Sequence, residues 1–240
     1  MQFPRASALA EVQYSEQTPT TFDLVDQGAR DWTSWVTLNQ TAGRARIDRR
    51  WETPPGKALA NCTLVRPSSG HSWMPLATGL ALARAIDGLI DSSPEIKWPN
   101  DVLIGGRKVS GILCEMRGDA VIVGFGVNLV QSGDELLETA TSLGQEGARD
   151  SAEALADAVL AGVLRGLQSL VPRLGTEELL QDVSASCSTL GQRVRAEMPD
   201  GSRILGKAAR LDADGGLVIA TEVGERTVTA GDIVHLRSEK

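Results

Sequence analysis

Four groups that can hold a small charged ligand, Lys97, Asn100, Asp101 and Lys108, stand within twelve residues of one another. Pro99-Asn100-Asp101 is a turn signal and Gly105-Gly106 a hairpin signal. The four therefore fall on strand ends joined by a tight turn, where a rigid scaffold can fix their mutual geometry. Singly, such residues commonly only turn the chain or face water. A second cluster runs from Gln40 to Trp51 and packs Arg44, Arg46, Arg49 and Arg50 into seven positions. Guanidinium groups grip carboxylate and phosphate in forked pairs, each charge-assisted bond contributing roughly 1.5–3 kcal/mol. Gly43 and Gly56 permit unusual backbone angles there, and Trp51 offers a flat face on which a purine could stack. A third piece, Gly124-Phe125-Gly126-Val127-Asn128, ends an apolar run with glycines that allow close backbone approach and an amide that can read a ligand edge.

The elements that must position these groups follow from periodicity. Thr20–Gly28 reads as a short helix ending at glycine, Trp32–Leu38 as a strand, and Asn39–Lys57, dense in Gly, Arg and Pro, as a long loop. Ala58–Arg66 reads as a strand. Pro75–Asp91 carries Leu76, Leu80, Ala83, Ile86 and Leu89 on a helical stripe with proline at its start. Val109–Met116 and Ala120–Val127 read as antiparallel strands joined through Arg117-Gly118-Asp119. Ser151 caps a helix carrying Leu155, Val159, Leu160, Val163 and Leu167, and a second helix covers Thr176–Ala185. From Gly191 the pattern becomes short strands with turn signals every 8–12 residues, which predicts a small all-β barrel. These readings divide the chain into units 1–188 and 189–240.

Composition removes several classes. The 240 residues carry a net charge of −7, but the charge is uneven. Residues 1–130 and 189–240 are each neutral, and residues 131–188, with 3 positive and 10 negative side chains, hold the whole excess. An acidic total argues against an extended nucleic-acid or anionic-membrane surface, while the stretch Gln40–Lys57 is locally +3. No apolar run reaches the length of a membrane span, and no secretory signal opens the chain. Cys62, Cys114 and Cys187 lie 52 and 73 residues apart, which is no zinc or redox spacing and fits a reduced, cytoplasmic compartment. With two histidines, His71 and His235, neither a multi-histidine metal site nor a histidine-centred triad is expected. Gly201–Lys207 matches the first seven positions of a GxxxxGK phosphate loop, but Ala208 stands where a hydroxyl is needed and no helix follows.

Taken together, Gln40-Thr41-Ala42-Gly43-Arg44-Ala45-Arg46 with Arg49 and Trp51, Lys97-Trp98-Pro99-Asn100-Asp101, Gly106-Arg107-Lys108 with Gly111-Ile112-Leu113 and Glu115, and Gly124-Phe125-Gly126-Val127-Asn128 resemble the biotin protein ligases. The resemblance covers most of the chain and is weakest over residues 1–17 and 131–150. It implies an α/β fold of α+β type: a mixed sheet with helices mainly on one side, a class II synthetase-like catalytic domain, and a small C-terminal SH3-like β-barrel. It implies ATP-dependent formation of biotinyl-5′-AMP, accompanied by Mg2+, and transfer of biotin to a lysine of a biotin carboxyl-carrier domain. On this resemblance Lys108 and Arg46 are the catalytic cations. Thr20, Thr21, Gln40, Arg44, Ala45, Arg46, Lys108 and Gly111 bind biotin. Arg46, Arg49, Trp51, Asn100, Lys108 and Asn128 serve the adenylate, and Asp101 helps position the metal or the acceptor amine.

Two departures stand out. Pro19-Thr20-Thr21 occupies the place of the family's Ser-Thr-Asn, and Ala45 and Asp48 replace glycines, which predicts a loop that closes less tightly over the adenylate. The motifs begin by residue 20, so no DNA-binding domain and no repressor function are expected. The chain is expected to work as a monomer or homodimer, away from DNA and membrane. The rival readings are a lipoate-type protein ligase, which lacks Lys97–Asp101 and the tail, and a biotin-binding relative with weak transfer.

Overall fold

The computed structural model describes residues 1–44, 50–51, 54–198, 201–229 and 232–235. The chain opens with a single helical turn, α1 (Pro4–Ser7), and a short strand, β1 (Val12–Tyr14). Next come β2 (Ser34–Thr37), the two-residue strands β3 (Gly43–Arg44) and β4 (Arg50–Trp51), and β5 (Ala58–Val65). Helix α2 (Met74–Asp87) leads into β6 (Pro94–Lys97), β7 (Asp101–Ile104), β8 (Arg107–Arg117) and β9 (Ala120–Asn128). Helices α3 (Ala152–Leu170) and α4 (Glu177–Ser186) are capped by the side chains of Ser151 and Thr176. The tail holds β10 (Arg193–Glu197), β11 (Arg203–Leu211), β12 (Leu217–Thr221), β13 (Gly224–Val228) and β14 (Asp232–His235).

Seven strands form one sheet in the order β1-β2-β5-β9-β8-β7-β6. Only β1 and β2 run parallel, so the sheet is mixed. Strand alternation sorts its residues. Val123, Phe125 and Val127 join the core with α2, α3 and α4, while Cys62, Leu64 and Ile122 point the other way, toward Phe22 and Trp35. The helices thus cover one face, as expected. Helices α2 and α3 pack tightly because small residues meet: a Cβ added at Gly162 would stand 2.6 Å from the Ala85 methyl, and one at Gly166 2.9 Å from that of Ala81. Helix α3 with the turn after it (Ala152–Arg173) is long and apolar enough to cross a membrane, yet it is a core helix here. Its buried Asp157 accepts hydrogen bonds from the Arg5 and Ala6 amides and ties α1 to it.

The expected C-terminal barrel does not form. The five tail strands make an antiparallel sheet in the order β13-β12-β11-β10-β14. Among the described residues, β14 pairs with β10 and β13 with β12, but β13 and β14 do not meet. Turn spacing predicts short antiparallel strands equally well for an open sheet and a closed one. Closure depends on tilt and stagger, which spacing does not encode. This sheet is fastened to the larger one by two buried indoles, Trp73 donating to the Ala213 carbonyl and Trp98 to that of Gly215, each at 2.9 Å.

Candidate active site

The cleft lies on the sheet face away from the helices. Across three neighbouring strands Ala60, Gly126 and Gly111 stand in one row, and with no long side chain in that row the sheet carries a trough. Trp51 lies in it: a Cβ added at Gly126 would sit 2.6 Å from the indole, and one at Gly111 3.2 Å from it. The space above the trough, open solvent included, is about 670 Å³. Thr20, Thr21, Gln40, Arg44, Asn100, Asp101 and Lys108 all line it.

A bulge aims the lysine. Strands β7 and β8 shift register so that Val102 faces Ser110 but Leu103 faces Lys108, leaving Val109 as the extra residue. In an unbroken strand Lys108 and Gly111, three residues apart, would point to opposite faces. The bulge brings them to one side, and the Lys108 ammonium would be 3.0 Å from a Cβ at Gly111. Val109 and Ile112 take the core side. Lys108 Nζ sits 2.6 Å from Asp101 Oδ1 and 5.6 Å from the centre of the Trp51 ring. The Trp51 indole nitrogen is buried without a hydrogen-bond partner.

Opposite Lys108 a polar corner is built around Gln40, which is only 8% exposed. Its Oε1 accepts from the Thr21 amide at 2.9 Å and from the Thr21 hydroxyl at 3.4 Å. The Thr21 hydroxyl also touches the Cys62 thiol at 3.1 Å, and burial pushes that thiol well above its usual range. Thr20 caps the helical turn Thr21–Leu24. Arg44 bridges Asp23 at 2.9 Å and reaches Glu115 at 3.7 Å, with its guanidinium over the Phe22 ring. Asn100 donates to the Ile112 carbonyl at 2.8 Å, locking the turn before β7 to β8.

This arrangement places a cation, a carboxylate and an arginine around a glycine-floored trough. The match to known proteins is of the same kind. Residues 9–128 fit the biotin/lipoate A/B protein ligase family and residues 189–236 the biotin protein ligase C-terminal domain. The chain is 36% identical over 213 residues to the biotin–[acetyl-CoA-carboxylase] ligase of Mycobacterium tuberculosis, covering 84% of this chain and 78% of that one. The chain belongs to the biotin protein ligase family. It is also 31% identical to the bifunctional ligase/repressor BirA of Bacillus subtilis, over 91% of this chain and 71% of the other. The ligase of Aquifex aeolicus in complex with biotin and ATP superimposes with a TM-score of 0.79 at 26% identity, over 95% of this chain and 99% of its own.

Within this family member, the structure gathers Thr20, Thr21, Gln40, Arg44, Trp51, Asn100, Asp101, Lys108 and Gly111 around one cleft. Ala45, Arg46, Asp48 and Arg49 lie outside the described residues. Asn128 stands at the end of β9 with its amide turned toward residues 139–144: it donates to the Thr141 carbonyl at 2.9 Å and accepts from Gln131 at 3.0 Å. Asn39–Lys57, expected as a continuous loop, contains the β3–β4 ladder, which pairs Gly43 with Trp51 and Arg44 with Arg50.

Sequence reasoning missed Phe22, whose ring fills the space a Cβ at Gly124 would need, and Asp23, which holds Arg44. A phenylalanine and an aspartate in a short helical turn carry no motif. No motif marks the stretch after β9 either, yet it pairs with the backbone of Lys108 itself.

Proposed function

We propose that this chain is an ATP-dependent biotin protein ligase that makes biotinyl-5′-AMP and passes biotin to a lysine of a biotin carboxyl-carrier domain. The observation that carries the reading is the Lys108–Asp101 pair at 2.6 Å beside the glycine floor, with Gln40 and Arg44 across the cleft. In the first step a biotin carboxylate oxygen attacks the α-phosphorus of ATP and pyrophosphate leaves. Both reactants are anionic. At about 4 Å two like unit charges repel by about 1 kcal/mol in water but about 4 kcal/mol at an effective dielectric of 20. A fixed ammonium between them removes that repulsion and stabilises the charge gathering on the phosphate. Lys108 does this, and Asp101, 2.6 Å away, keeps its ammonium aimed.

Thr20, Thr21 and Gln40 bind biotin at the polar corner, and Gly111 keeps its path open. Arg44, with Ala45 and Arg46 following it, takes the carboxylate end, and Arg46 shares the catalytic load. Arg49 serves the phosphates, Trp51 stacks on adenine, and Asn100 and Asn128 brace the adenylate side. In the second step the carrier lysine amine attacks the acyl carbon and AMP leaves with its phosphate oxygen. We take residues 1–188 as the catalytic unit and 189–240 as the C-terminal one, in a cytoplasmic enzyme acting as monomer or homodimer.

Among the described residues no three His, Cys, Asp or Glu side chains gather to hold a metal, and Asp101 already faces Lys108. Magnesium would ride on the ATP phosphates, which is its usual mode. The test is pyrophosphate release with biotin and ATP, followed by label transfer to a carrier domain. Biotin-dependent release and transfer are expected. Release that lipoate supports better than biotin, or biotin binding without either activity, would overturn the reading.

A further inference from the structure

Strand β9 pairs with β8 only from Ser110 onward. Ahead of Ser110, on the same edge, the backbone of Lys108 needs another neighbour. The chain supplies one from far along the sequence. The Lys108 amide donates to the Thr139 carbonyl at 2.9 Å, and the Thr141 amide donates to the Lys108 carbonyl at 2.9 Å, an isolated parallel bridge centred on Ala140. The Thr141 carbonyl accepts from Asn128, and Leu143 and Gly144 donate to the carbonyls of Asn128 and Leu129. One short segment thus continues the sheet past the end of β9 and ties the start of β8 to it.

The segment is latched from the side. The buried Thr141 hydroxyl donates to Glu146 Oε1 at 2.6 Å, and the same oxygen lies 2.6 Å from the guanidinium of Arg107, the residue before Lys108. The Glu146 side chain is only 10% exposed, so this pair is better shielded from solvent than an ordinary surface bridge. Ser142, itself fully buried, donates to the Gln131 carbonyl at 2.7 Å and fixes the other end.

We propose that residues 139–146 form a strap that positions Lys108 for adenylate formation, with Thr141 and Glu146 as positioning residues. Lys108 lies on a bulge, where the β7 ladder is interrupted and alone fixes it poorly. The strap supplies the missing backbone partners. Part of the acidity of residues 131–150 follows as well: Glu146 meets Arg107, and Glu135 meets Lys57. A misplacement of about 1 Å can cost a reaction on the order of 100-fold, so a loosened strap should lower turnover more than it weakens binding.

The inference rests on Lys108 being the reacting cation, and the experiment separates the two. Thr141→Val, Thr141→Ser, Glu146→Gln and Lys108→Ala are each assayed for pyrophosphate release with biotin and ATP. Thr141→Val removes the hydroxyl but keeps the shape and both backbone bonds. Its kcat is expected to fall at least fivefold with the KM for biotin within twofold of wild type, and Thr141→Ser is expected to restore kcat. Glu146→Gln is expected to lower kcat in the same direction, with faster hydrogen exchange at the Lys108 amide. Wild-type kcat in both Thr141→Val and Glu146→Gln, or a loss confined to KM, would overturn the strap. If that result came with an inactive Lys108→Ala, the strap alone would fail. A fully active Lys108→Ala would instead overturn the assignment on which the strap rests.

Discussion

The two faces of the seven-stranded sheet are built from the same strands and do opposite work. On one face Val123, Phe125, Val127 and Ile112 pack against the helices. On the other, one residue out of phase, Gly124, Gly126 and Gly111 leave a trough, and a bulge at Val109 turns Lys108 into it. Strand alternation lets one segment supply both core and site. The helix face is buried and closely packed and governs stability, whereas on the cleft face the glycines leave room for the Phe22 and Trp51 rings and govern binding. The difference teaches that neighbouring substitutions in β9 should separate cleanly into losses of stability and losses of activity.

Four substitutions or modifications would break or sharpen that separation. Phe125→Ala removes a ring that is 4% exposed from the helix face. It should cost about 3–5 kcal/mol of stability, read from urea unfolding, while the protein that remains folded keeps its turnover. Gly126→Val, one residue on, should do the reverse. Its side chain meets the Trp51 indole, and displacing that ring from adenine should cost about 1–3 kcal/mol, read as roughly 5- to 150-fold weaker ATP binding by calorimetry, with the urea midpoint little moved. An equal fall in stability for both variants would break the comparison.

Asp101→Asn keeps the shape beside Lys108 and removes the charge. The pair is partly exposed, so the expected loss is about 1 kcal/mol, a drop in kcat on the order of fivefold. The smallest effect is expected at the thiols. Burial raises Cys62 and Cys187 and pushes Cys114 up to about 12. A raised thiol pKa keeps the reactive thiolate scarce at pH 8. Iodoacetamide at that pH should therefore leave the folded enzyme unlabelled and fully active, with labelling in urea, as mass spectrometry would show. Rapid labelling of Cys62 would mean that the floor beneath Thr21 opens.

Much of this was legible in the residues. The capping hydroxyls of Ser151 and Thr176 marked the starts of α3 and α4, and the Gly105-Gly106 turn marked the β7–β8 hairpin, because these signals are local. The cleft was legible for the same reason: Lys97–Asp101 and Arg107-Lys108 are contiguous motifs. What escaped was long-range. The bridge between Lys108 and Ala140 joins segments 32 residues apart through backbone groups, which every residue possesses. The bulge at Val109 has no glycine or proline to announce it. The open tail sheet was expected as a barrel because closure is decided between β13 and β14, whose turns look the same either way.

The most direct test sets one residue from each face side by side: biotin-dependent pyrophosphate release by Lys108→Ala and Phe125→Ala, each with its urea midpoint. The account predicts that Lys108→Ala unfolds like wild type and loses at least about a thousandfold in release, about 4 kcal/mol of transition-state stabilisation, while folded Phe125→Ala turns over normally. Release by Lys108→Ala within tenfold of wild type would contradict the account.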